Sequence, residues 1–255
     1  MLSSTIRKAT CAAALSLVGL LAAEASAADL LQKGNHLRVK FDKDIPEEIE
    51  LFGGGGAGPG HIIVVINSEF MGMYFGVEHI SISGSPQDDI LRIGDSVLIL
   101  GNLTVKSGAG DDHVYLSGFY GKNAKVSLGT GDDLLWEQDN DLIVVGSYTI
   151  KAGAGDDWID IRQDIAIGGK MSIDLGRGDP AGNTIVSMID HRVEIATTLS
   201  IRLSREGDQD VLLEDVTAAK LVVRGGKGEN EVDLRPGLNL FDETSTKKVE
   251  AVLLP

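Results

Sequence analysis

The sequence is poor in cysteine and in aromatics: one Cys and 5% Phe, Trp and Tyr in 255 residues. A single cysteine excludes a disulfide scaffold. That residue, Cys11, lies in a stretch with the form of a secretory signal. Arg7 and Lys8 make a basic start, an apolar run extends from about Cys11 to Ala23, and Ala25-Ser26-Ala27 is a small-x-small cleavage site. About 13 apolar residues are too few to span a bilayer well. Cleavage after Ala27 leaves a chain without cysteine, which excludes thiol catalysis and thiolate metal sites. No later apolar run is long enough for a transmembrane helix, so residues 28–255 are expected to be exported without an integral membrane segment. The destination is the periplasm or the cell exterior. Net positive charge is also lacking. The formal charge is -15, which argues against nucleic acid or an anionic membrane as a partner by bulk electrostatics. The five histidines (His36, His61, His79, His113, His191) have no metal-ligand spacing. There is no Gly-x-Ser-x-Gly elbow. The run Gly53–Gly60 lacks the Gly-Lys-Ser/Thr ending of a phosphate loop and reads as a flexible corner.

What is abundant is glycine, with 32 residues, and acid, with 38. Both recur in register. Gly108-Ala-Gly-Asp-Asp112, Gly129-Thr-Gly-Asp-Asp133 and Gly153-Ala-Gly-Asp-Asp157 repeat one turn. Weaker copies follow near Gly178, Gly207 and Gly228, and an earlier one ends in Asp88-Asp89. From Gly110 through Gly131, Gly155, Gly178, Gly207 and Gly228 the spacings are 21, 24, 23, 29 and 21. The long interval carries an insert at Pro180-Ala181-Gly182. Apolar residues alternate before each turn (Ala124, Val126, Leu128) and after it (Val114, Leu116), the period of a half-buried strand. A third short apolar stretch recurs at Val97–Leu100, Leu142–Val145, Ile165–Ile167 and Val193–Ile195. No segment beyond the signal has convincing helix periodicity.

Three short strands in about 23 residues cannot bury an apolar face alone, but stacked copies share one core. The expected fold is therefore all-β: a right-handed parallel β-helix, or solenoid, with three short strands per coil. Residues 28–46 read as an N-terminal lead-in or cap, 47–240 as coils and 241–255 as a segment closing the far end, where an uncovered sheet edge invites aggregation.

The turns resemble the haemolysin-type (RTX) nonapeptide, Gly-Gly-x-Gly-x-Asp-x-apolar-x, at Gly108/Gly110/Asp112/Val114, Gly129/Gly131/Asp133/Leu135 and Gly153/Gly155/Asp157/Ile159. Ser107, Leu128 and Ala152 replace its first glycine. The resemblance implies calcium held between stacked turns by aspartates and carbonyls. One nonapeptide per coil departs from that family's tandem arrangement, and the coil length is more similar to pectate-lyase-like β-helices.

Stacking places Asp111, Asp132, Asp156, Asp179, Asp208 and Glu229 in one column and Asp112, Asp133 and Asp157 in a second, whose acid fades to Asn183, Gln209 and Asn230 in later coils. Carboxylates ~4.8 Å apart repel by ~0.9 kcal/mol even in bulk water. Two offsets are open: calcium, or hydrogen bonds from backbone N–H groups. After the turns, alternate residues point outward, so His113, Tyr115, Leu134, Trp136 and Trp158 share a face, whose two columns continue to Thr184 and to Asp160 and Val186. Such a face is either a contact surface for carbohydrate or a surface protein, or is covered by the chain's own N-terminal segment or a loop. The expected function is a non-enzymatic surface, matrix or adhesion-type binding module. The alternative is a lyase or hydrolase acting on polysaccharide.

Overall fold

The computed structural model describes residues 28–41, 46–54, 58–138, 141–178, 183–189, 191–204, 206–226, 230–235, 239–247 and 250–253. The secretory signal read at 1–27 lies outside the described residues. The described residues are all-β with no helix, and they form a parallel β-solenoid of about seven turns at about 23 residues per turn.

The chain enters as an antiparallel hairpin, β1 (Asp29–Lys33) and β2 (His36–Lys40). An antiparallel meander follows: β3 (Glu48–Gly53), β4 (Ile62–Ile66) and β5 (Glu69–Tyr74). The glycine run between Gly53 and Gly60 thus reverses the chain between β3 and β4 instead of turning a coil corner. Three strands per coil then repeat: β6 (His79–Ser83), β7 (Ile90–Ile93), β8 (Leu98–Ile99); β9 (Leu103–Ala109), β10 (His113–Leu116), β11 (Gly118–Tyr120); β12 (Ala124–Thr130), β13 (Leu134–Gln138), β14 (Leu142–Val144); β15 (Tyr148–Ala154), β16 (Trp158–Arg162), β17 (Ile165–Ile167). Later coils hold β18 (Met171–Asp174), β19 (Asn183–Met188), β20 (Val193–Arg202), β21 (Asp208–Leu213), β22 (Val216–Arg224), β23 (Asn230–Leu234), β24 (Leu240–Lys247) and β25 (Glu250–Leu253).

Every pairing between coils is parallel. One face stacks β2, β6, β9, β12, β15, β18 and the second halves of β20, β22 and β24. A second stacks β3, β7, β10, β13, β16, β19, β21, β23 and β25. The third stacks β8, β11, β14 and β17 and then joins the first halves of β20 and β22. The two faces join where β20 and β22 each pair on both of them. Gly146 and Gly168–Gly169 stand at the earlier corners, whereas β20 continues across Ala196-Thr197 with a shift of register against β22.

Alternation does what the pattern requires. Leu37, Ile80, Leu103, Ala124, Tyr148, Met171, Leu199 and Leu221 stack through the core on one face, and Leu91, Val114, Leu135, Ile159, Val186, Val211 and Val232 on another. Each fully buried side chain of this kind contributes roughly 1.5–3 kcal/mol, and only because a coil lies above or below it. Ser107, Leu128 and Ala152 are buried as well. Their side chains fill the core at the start of each turn.

The insert at 180–182 shifts the register by one residue. Trp158 pairs with Ile185, not Thr184, and Asp160 with Ser187, not Val186. Val186 points inward.

Candidate functional site

The paired aspartates lie on the corner between the first and second faces, and their two columns reach in opposite directions. In the inner column, Oδ1 of Asp112 accepts the N–H of Asp89 at 2.8 Å, Oδ1 of Asp133 that of Asp112 at 2.8 Å, and Oδ1 of Asp157 that of Asp133 at 3.2 Å. Each carboxyl reaches back one coil. In the outer column, Oδ1 of Asp88 accepts the N–H of Asp111, Asp111 that of Asp132, and Asp132 that of Asp156, all at 2.8 Å. Each of these reaches forward. The corner can stack this tightly because its glycines lack Cβ. A Cβ on Gly129 would lie 1.9 Å from the carbonyl oxygen of Gly108, and Gly129 has a φ of 130°.

The inner column is longer than the repeat motif. Register extends it from Glu47 through Asp89, Asp112, Asp133 and Asp157 to Thr184, Gln209 and Asn230, all buried. Glu47 donates its N–H to Asp89 Oδ1 at 2.9 Å. The replacement of the acid by Gln209 and Asn230 was legible in the sequence; the register puts Thr184, not Asn183, between Asp157 and Gln209. Burial pushes the carboxyls of Asp112 and Asp157 up to about 7 and that of Asp133 to about 8. Their Oδ2 atoms are buried. Protonation makes Oδ2 a hydroxyl and removes charge that burial disfavours.

In these two columns the Oδ1 atoms of Asp88, Asp111, Asp112, Asp132, Asp133 and Asp157 are engaged by backbone N–H groups, whereas calcium needs six to eight oxygens. Among the described residues, no three His, Cys, Asp or Glu side chains converge on a metal position.

The outward aromatic residues are brought together on the second face. His113, Leu134 and Trp158 occupy one column, flanked by Ile90 and Ile185. His113 is exposed and Trp158 is 45% exposed. Tyr115 and Trp136 occupy the adjacent column, half-buried, their rings stacked with centroids 6.0 Å apart. Arg92 lies over the Tyr115 ring at 4.2 Å and bonds Glu48 at 3.1 Å. Beyond Trp136 the column continues to Asp160, which is 3% exposed and paired with Arg162 at 2.9 Å. Parallel register places Arg92 beside Tyr115 in the neighbouring coil.

Two features were missed by reading the repeat. The third face carries an open groove of about 770 Å³, lined by Ile143, Val145, Ala166, Ala196, Ala219 and Leu240 among others. Its signal is the unbroken apolar run Leu142–Val145, in which both alternating faces are apolar. The second is Glu137, fully buried in the column between Leu116 and Ile161. Its Oε1 accepts the Tyr148 hydroxyl, and burial pushes its carboxyl up to about 8. The parity of Leu135 already places Glu137 inward.

No family model, no curated protein and no solved structure matches the chain.

Proposed function

We propose that the protein is an exported, non-enzymatic binding module whose contact surface is the outward second face of the middle coils. The observation that carries this is the stripe Ile90–His113–Leu134–Trp158–Ile185, which holds no carboxylate and in which Trp158 is 45% exposed. Successive coils set these side chains ~4.8 Å apart along a straight line. A flat, extended ligand matches that shape. The acids Asp210 and Glu231 prolong the same column, so the stripe favours a neutral chain over an anionic one. The apolar face of a pyranose ring stacks on an indole, and a neutral polysaccharide is therefore the ligand class proposed. The stacked Tyr115 and Trp136 rings border the stripe and stiffen it. The aspartate columns serve the scaffold in this reading, as hydrogen-bonded corners that hold without calcium.

The test is co-sedimentation with insoluble cellulose, chitin and peptidoglycan, comparing the protein with Trp158→Ala. Retention on one polymer, reduced at least tenfold by the substitution, supports the reading. Equal retention of both proteins removes the stripe from the account, and release of reducing or unsaturated ends contradicts a non-enzymatic role.

A further inference from the structure

We propose that the protein forms a two-fold dimer through the free edge of β24, its C-terminal end against that of a second copy. The two ends of the solenoid differ. At the N-terminal end β1 covers β2 in antiparallel register, and β4 and β5 lie outside β3. A second copy cannot continue the parallel coils there. At the other end β24 pairs only with β22 among the described residues. Its residues 242–247 are all exposed. An eight-residue edge whose outer side has no strand partner among the described residues is a template for another strand.

The register follows from the backbone. The Lys247 carbonyl accepts the Gly225 N–H at 2.8 Å, so the main chain of Lys247 faces the β22 side. Backbone direction alternates along a strand. The N–H and C=O groups of Asp242, Thr244 and Thr246 therefore face the open edge. A two-fold axis through Ser245 sets Thr244 opposite the partner's Thr246, an antiparallel hydrogen-bonded pair. The same axis sets Glu243 opposite the partner's Lys247, and does so twice. Both side chains lie on the outward side, where Glu243 already meets Lys220 at 2.7 Å. Opposite charges directly across an antiparallel pair are favourable, and like charges are not. This strand is complementary to itself in charge, and self-complementarity is what an isologous two-fold interface requires.

Sedimentation velocity of the purified protein at tens of micromolar tests this, with far-UV circular dichroism to confirm folding. The protein is expected to sediment at twice the chain mass. Lys247→Glu sets glutamates opposite one another and Glu243→Lys sets lysines opposite one another, so each variant alone is expected at one chain mass. An equimolar mixture of the two is expected to recover the two-chain species, because every cross-pair is again opposite in charge. Thr246→Pro deletes a free-edge N–H while keeping every bond to β22, and is expected to be monomeric. One-chain mass for the unaltered protein, longer assemblies, or a mixture that stays monomeric overturns the proposal.

Discussion

Asp133 and Asp112 are bound to each other through unlike groups: the Asp133 carboxyl oxygen accepts the Asp112 backbone N–H, 2.8 Å away in the preceding coil. The bond joins two coils, not two ends of one turn. It repeats from Asp89 to Asp157, so the acid of each coil holds the corner of its neighbour.

The pH dependence of stability follows from the same burial. The Asp112, Asp133 and Asp157 carboxyls are raised from 3.8 to about 7, 8 and 7. The folded state thus binds protons that the unfolded state has released between about pH 4 and pH 8. Their contribution is fully present below the unfolded value near 4 and is lost as pH rises through 7–8. Thermal melts should show Tm higher at pH 5.5 than at pH 8.5, by on the order of 5–10 °C. A flat or inverted profile would refute this.

Asp133→Asn separates hydrogen bonding from charge. The amide oxygen still accepts the Asp112 N–H, and the amide carries no titrating proton. The chain itself places Gln209 and Asn230 in this column. Asp133→Asn should flatten the pH slope and raise Tm at pH 8.5. Asp133→Ala orphans the Asp112 N–H and should cost about 1–3 kcal/mol, read from urea unfolding at pH 6.

Gly129→Ala should be among the most damaging single changes. Its Cβ meets the Gly108 carbonyl at 1.9 Å from a backbone at φ 130°, whereas a Cβ on Gly34 meets nothing within 4 Å. Gly129→Ala should lose more than 4 kcal/mol and Gly34→Ala about 1 kcal/mol. Comparable losses at both positions would mean that close stacking does not limit the corner.

Calcium should leave the fold unchanged. A ligand at 100 times its Kd adds about 2.7 kcal/mol of stability. Melts of chelator-treated protein with and without millimolar calcium should coincide, and a rise of several degrees would show that metal displaces the N–H donors.

The parallel stack was legible because the glycine-acid turn and the period-two strands around it recur together. Leu103, Ala124, Tyr148 and Met171 pair in the register their spacing requires. Legibility failed where the period changed. After the insert, alternation alone gave no origin for counting, so Thr184 and Val186 read as outward although both are buried. The Gly53–Gly60 run read as a corner, because glycine reports that a chain turns and not which way. Of the site, the four aromatic residues were legible as one face. The contact of Arg92 with Tyr115 was not, since it depends on which strand lies next in the stack.

Acrylamide quenching of Trp136→Phe, which leaves Trp158 as the reporting tryptophan, tests the open stripe most directly. The account predicts ready quenching of the free protein and protection when the soluble oligosaccharide of the retained polymer is added. A Trp158 shielded from acrylamide in the free protein, or unchanged by every saccharide offered, would contradict it.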